Sequence, residues 1–221
     1  IVKRGSFISV FAYLILILVL IKFIKRSCMY KVFPKRRYKN TLKMLKSVCP
    51  PPSTIFDLGV TNPFSEIMRE NNYKVFNTKG EDLDENSNIS LPKGVNMVTG
   101  FEILEHLVSP YPLLKNLPVN RIFLTVPVNL WFANAYKSKT DPFDRHYHEF
   151  EPWQFDMLLE KAGWKIIKKE FWKNPSFKLG LRPLLRNFTN RYYAVYAERD
   201  KAGQWPNKEK YTNYYRGVLN L

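Results

Sequence analysis

Thr54-Ile55-Phe56-Asp57-Leu58-Gly59-Val60-Thr61-Asn62-Pro63-Phe64-Ser65 reads as a buried strand that runs into a tight turn and then a helix. The β-branched and aromatic run ends in an acid and a glycine, and Asn62-Pro63 supplies a helix N-cap followed by proline at the first helical position. Phe64, Ile67 and Met68 recur at helical spacing, which turns one face of that helix onto a sheet. An α/β protein holds nucleotide-like ligands at such a junction. Taken alone the junction is a weak signal, because Gly59 stands by itself where a dinucleotide fingerprint carries two or three glycines.

Upstream, residues 38–48 place Leu42, Leu45 and Val48 on one helical face, and Cys49-Pro50-Pro51-Pro52 ends that helix. Downstream, Tyr73–Asn77 is a second strand and Thr78–Asn86 a polar, acidic loop. Val95–Phe101 is a third strand, with a short helix predicted over Glu102–Leu107 and another helical piece around Tyr111–Leu117. Arg121–Val126 is a fourth strand, stopped by Pro127. Continuous apolar runs of this kind belong to parallel strands covered on both faces. Their alternation with helices predicts a doubly wound, mostly parallel Rossmann-like sheet, with its site at the carboxyl ends of the strands.

Asn129–Glu149 is a long irregular connection, the length typical of a functional lid or a disordered segment. Pro152 opens a helix striped by Phe155, Leu158, Leu159 and Ala162, and Gly163 closes it. Trp164–Phe171 and Tyr192–Ala197 are predicted as a final antiparallel pair of strands. Between them residues 177–186 interleave apolar and basic side chains, as a surface excursion or a contact with anionic lipid would.

The net charge of +16 is unevenly spread. Residues 1–49 hold 12 Lys and Arg and no acid, residues 50–170 hold 13 basic against 16 acidic, and residues 171–221 hold 10 against 3. A slightly acidic body with basic ends favours a membrane surface over a nucleic-acid groove, so no nucleic-acid partner is expected. The run from Phe7 to Ile21 is uncharged, followed by Lys22, Lys25, Arg26, Lys31, Lys35, Arg36, Arg37 and Lys39. No small-residue cleavage pattern follows it. This predicts an N-terminal transmembrane helix retained as an anchor, with the remainder of the chain facing the cytoplasm. Cys28 and Cys49 form no metal or redox spacing, which fits a reducing compartment.

Val98-Thr99-Gly100-Phe101-Glu102-Ile103-Leu104-Glu105-His106-Leu107 resembles the strand-four motif of class I S-adenosylmethionine-dependent methyltransferases of the small-molecule type. His148-Glu149-Phe150-Glu151-Pro152 leading to Ala162-Gly163-Trp164 is similar to their late helix and turn, and Asp57-Leu58-Gly59 to the start of their first motif. The resemblance spans about residues 40–198. It implies a seven-stranded-type sheet with an antiparallel last strand, bound S-adenosylmethionine and in-line methyl transfer to an oxygen or nitrogen of a small or lipid-linked acceptor. The domains are then an anchor at 1–30, a linker helix and Pro-rich entrance at 31–53, a methyltransferase domain at 54–200 and a tail at 201–221.

By the same resemblance Asp57 and Gly59 border the methionine part of the cofactor. The Val60–Asn62 backbone meets its carboxylate at the helix N-terminus, and Phe101, Glu102 and His106 line the wall near the sulfonium. Asn77-Thr78-Lys79 stands where the family places an acid for the ribose, with Glu81, Asp82 and Asp84 next in line to serve. Thr61 and Pro63 replace usual glycines, so a catalytically inactive, membrane-tethered scaffold is the alternative reading.

Each candidate also has a structural use. Asp57 can cap nearby amides, Glu105 can be a solvated helix residue, His106 a satisfied core histidine, and Trp131, Trp153 and Trp164 core or lid packing. His146 and His148 are candidate general bases from the lid, or helix-entry hydrogen-bonding groups. His146-Tyr147-His148 has no third ligand at a convincing spacing, so no metal is expected.

Overall fold

The structure, a computed structural model, describes residues 35–141, 144–175 and 180–200. The predicted membrane segment, its orientation and the tail lie outside these residues. Among the described residues no helix is long and apolar enough to cross a membrane. A first unit ends at Asn40, and the second, Thr41–Leu221, carries the sheet.

Helix α1 (Lys35–Val48) buries Thr41, Met44 and Leu45, so its apolar face is turned from the predicted Leu42–Leu45–Val48 line. Thr41 and Met44 take the inner positions that spacing alone assigned to leucine and valine. Strand β1 (Ser53–Asp57) leads through the Gly59 turn into α2 (Pro63–Glu70), and β2 (Tyr73–Asn77) follows after Asn71 and Asn72. After the 78–96 connection come β3 (Met97–Phe101), a single 3-10 turn (Leu104–His106), α3 (Pro110–Asn116) and β4 (Arg121–Pro127). The chain ends in α4 (Pro152–Lys161), β5 (Trp164–Lys173), α5 (Leu181–Phe188) and β6 (Asn190–Arg199).

These form a six-stranded sheet in the order β2-β1-β3-β4-β6-β5. The first four are mutually parallel, whereas β6 runs antiparallel to both β4 and β5. Six strands, not seven, are present among the described residues. The stretch between β2 and β3 is loop and turn, because its Asn, Asp, Ser and Gly content competes for backbone hydrogen bonds instead of continuing a ladder. Two further expectations shift. The predicted Glu102–Leu107 helix contracts to the 3-10 turn, and Pro127 pairs with Tyr192 as the last residue of β4. Proline is tolerated there because no further ladder hydrogen bond is needed beyond it.

One apolar layer runs under the sheet through Leu58, Leu104, Leu113, Leu124, Phe155 and Trp164, which are all buried. Gly100 in β3 lets the layers close. A Cβ there would stand 3.0 Å from Leu124 Cδ2 and 3.3 Å from Leu58 Cδ1. Gly100→Val is therefore expected to cost about 1–3 kcal/mol through overpacking, measured by urea denaturation. A variant as stable as the parent would show that the two leucines yield without strain.

Candidate functional site

Strands β1 and β3 are neighbours, and their carboxyl ends bring Asp57, Gly59, Phe101 and Glu102 to one edge. Asp57 is 1% exposed, and its carboxylate is engaged inward. Thr99 Oγ1 donates to Oδ1 at 2.6 Å, while Asn77 Nδ2 at 3.3 Å and Ser65 Oγ at 3.4 Å donate to Oδ2. One carboxylate thereby ties β1 to β2, β3 and α2. Burial pushes its pKa up to about 7, against the lowering effect of these hydrogen bonds.

The turn above it departs from the expectation for an anion site. Asn62 Oδ1 accepts from Phe64 N at 2.9 Å and Ser65 N at 3.1 Å, and Ser65 Oγ accepts from Asn62 N at 3.3 Å. Pro63 has no N–H. Of the Val60–Asn62 amides expected to receive a cofactor carboxylate, Asn62 N is taken by the helix's own capping box, as are Phe64 N and Ser65 N beyond it. The same residues that make Asn62-Pro63 a good helix start thus withdraw the first-turn amides of α2 from a ligand. Gly59 has φ +103°, and a Cβ on it would stand 3.0 Å from Ile103 Cδ1, so the Ile103 side chain lies over the turn. Gly59 N donates to Thr78 Oγ1 at 2.7 Å, and Val60 is exposed.

At the end of β2, Asn77 turns inward to Asp57, Gly59 and Ser65, and accepts from Arg69 Nη2 at 2.9 Å. Asp82 is exposed and caps its own turn, accepting from Asp84 N at 2.9 Å. Asp84 instead accepts from Val108 N and Ser109 N, both at 2.8 Å, pinning the loop to the exit of the 3-10 turn.

Phe101 packs edge-on between Phe64 and Phe123. Glu102, half-buried beside it, has φ +60°, a left-handed conformation uncommon outside glycine. Its backbone N–H donates to Thr125 O at 3.0 Å, and its Oε1 accepts from Thr125 Oγ1 at 3.0 Å. Such strain persists where surrounding structure fixes it, and it marks candidate functional positions.

Glu105 is 1% exposed rather than solvated, because the chain shortens to a 3-10 turn that carries it under the 129–149 connection. There the fold parts the two lid histidines. His148 Nε2 lies 3.1 Å from Val108 O and its ring stacks on Phe150. His146 faces His106 edge-on at 4.9 Å between ring centroids, and its Nδ1 lies 2.8 Å from Glu149 Oε1. His106 Nδ1 lies 2.9 Å from Arg145 O. Burial lowers the pKa of His106, and the neighbouring His146 lowers it further. Ligating atoms of Glu105, His106 and His146 all lie within 4.8 Å of one another. The sequence offered one signal for Glu149, its position three residues after His146, but none for the meeting of His146 with a turn some 40 residues earlier.

Trp131 and Trp153 are exposed, contrary to a packing role, while Trp164 is buried. Beside His148, a cavity of about 590 Å³ is lined by Val108, Tyr111, Tyr147, Phe150 and Trp153 among others.

The sheet order, the antiparallel β6 and the site edge define the class I methyltransferase fold, as two solved structures bear out. An S-adenosylmethionine-dependent methyltransferase from Archaeoglobus fulgidus is similar at 18% identity and TM-score 0.51, covering 77% of this chain and 99% of that one. The 1,6-didemethyltoxoflavin-N1-methyltransferase of Burkholderia thailandensis, solved with 1,6-didemethyltoxoflavin and S-adenosylhomocysteine, is similar at 12% identity and TM-score 0.57, covering 90% and 93%. No family model and no curated protein matches the chain.

Proposed function

We propose that this chain transfers a methyl group from S-adenosylmethionine to an oxygen or nitrogen of a small or lipid-linked acceptor, at the cytoplasmic face of a membrane. The observation that carries the reading is the edge where β1 and β3 end together, with Gly59, Phe101 and a left-handed Glu102 side by side. S-adenosylmethionine would supply an electrophilic methyl on a cationic sulfonium. An acid and an aromatic ring suit that cation, so Glu102 and Phe101 are its proposed holders. The capping of α2 takes Asn62 N, Phe64 N and Ser65 N, so the cofactor's carboxylate would rely on the Val60 and Thr61 part of the expected turn. Gly59 receives the cofactor only if Ile103 turns aside.

The cavity lined by Tyr111, Tyr147 and Trp153 is the proposed acceptor pocket, its aromatic walls suited to a flat or apolar group. Catalysis then rests on holding donor and acceptor in line. The membrane reading draws on the apolar N-terminal run and on α5, which exposes Leu181, Leu184 and Phe188 beside Arg182 and Arg186.

Titration calorimetry of the chain with S-adenosylmethionine tests the reading. The expected result is binding at micromolar to sub-millimolar cofactor, weakened about tenfold or more in Glu102→Ala; silence at millimolar cofactor ends it. The capped helix start and the Ile103 cover favour one other reading, a tethered scaffold that binds no cofactor, and the same titration separates the two.

A further inference from the structure

We propose that Glu105, His106 and His146 form a binding site for one divalent transition-metal cation of the zinc type, independent of the methyl-transfer reading. Glu105 Oε1 lies 4.0 Å from His106 Nε2 and 4.0 Å from His146 Nε2. These separations are too long for hydrogen bonds. They frame a gap between three ligating atoms. About a tetrahedral zinc with bonds near 2.0–2.2 Å, ligand atoms stand roughly 3.3 Å apart, so each side chain moves by less than about 1 Å to close on the ion.

The ring orientations point the same way. His106 directs Nδ1 at the Arg145 carbonyl and His146 directs Nδ1 at the Glu149 carboxylate, which places the proton on Nδ1 and the lone pair on Nε2 in both. An imidazole whose outer nitrogen donates to a carbonyl or carboxylate is the usual metal-bound arrangement, and Glu149 is the orienting partner. Arg191 Nη1 lies 3.4 Å from Glu149 Oε2 and Tyr136 N donates to its Oε1 at 3.1 Å, so that partner is itself fixed. Two histidines and one glutamate leave a fourth position for water or an oxygen-bearing ligand, the pattern of catalytic rather than closed structural sites.

The test uses the full 221-residue chain, stripped with chelator and titrated with Co²⁺ alone. About one equivalent should bind, giving visible absorption of four- or five-coordinate intensity that Zn²⁺ abolishes. His146→Ala should weaken binding at least about 100-fold, and Glu149→Gln about 10–100-fold while keeping the ligands. Should these variants fail to fold, the parent chain decides by imidazole nitrogen resonances. Of its three histidines, Zn²⁺ should shift the Nε2 signals of His106 and His146 and leave His148 unmoved. Absence of stoichiometric Co²⁺ absorption, affinity unchanged in a folded His146→Ala, or a shift confined to His148 would overturn the proposal. Cofactor calorimetry on the same sample is read separately, so a chain that binds metal but not S-adenosylmethionine refutes only the functional reading above.

Discussion

Asp57→Asn is expected to gain stability relative to the parent as pH rises from about 4 to about 8, by up to about 4 kcal/mol. The cause is the buried carboxyl at the end of β1, whose pKa is pushed up to about 7 by desolvation. In the unfolded chain the same group titrates near 4. Below that value it is protonated in both states. Between about 4 and 7 the unfolded chain releases the proton and the folded chain keeps it, so rising pH favours unfolding. Above about 7 both states are ionised, and the slope vanishes with the penalty fully imposed. Asparagine keeps the shape and an acceptor for Thr99 but has no proton to lose. Other groups titrate equally in both proteins, so the difference between their urea midpoints across this range isolates Asp57. A difference that does not change with pH would mean that the carboxyl titrates normally. Asp57→Ala shares this pH dependence but lies about 1–3 kcal/mol below Asp57→Asn at every pH, because the Thr99, Ser65 and Asn77 donors lose their acceptor in a buried place.

The second large effect lies at the opposite edge of the sheet. Trp164→Ala is expected to cost about 3–5 kcal/mol. The indole is 1% exposed and its Nε1 donates to Leu114 O at 2.9 Å, locking the first residue of β5 onto the end of α3. The Arg199 guanidinium lies 3.8 Å from the ring centroid and donates to Leu117 O at 2.5 Å and Ala162 O at 3.2 Å. These are carbonyls just beyond α3 and α4, groups that helix ends leave without intrahelical partners. Removing the indole opens a cavity and takes away the face on which the arginine is held. Trp164→Phe keeps most of the volume and should cost only about 1–2 kcal/mol, chiefly for the lost donor to Leu114 O. Equal losses in the two variants, measured by denaturant titration, would show that packing of the large ring is not the main contribution.

Much of the fold was legible in the chain itself. Strong local signals were enough for β2, β4 and α4: a short apolar run between turn residues, a longer one, and a proline-to-glycine helix with a periodic stripe. The motif at Val98–Leu107 placed β3 in a methyltransferase sheet, and the pairing of β3 between β1 and β4 agrees. The turn at Asn62-Pro63 was read correctly as a helix start, but the capping box that takes Asn62 N out of the expected anion site was not foreseen. Spacing cannot say which hydrogen bonds Asn62 makes. The Glu105 environment escaped for a related reason. Its burial depends on the helix shortening to a single turn and on a distant connection folding over it, and neither leaves a periodic mark.

By itself the sequence determined the order of the strands and of the helices other than α5, the position of the β1–α2 junction and the glutamate-histidine motif that follows β3, because each rests on contacts within a few residues of chain. Only the tertiary structure decided that Asp57 faces inward, that the start of α2 caps itself, and that His146 leaves His148 to join Glu105 and His106. Those outcomes follow from packing between segments far apart in the chain, where burial and geometry select which of several available partners each polar group takes.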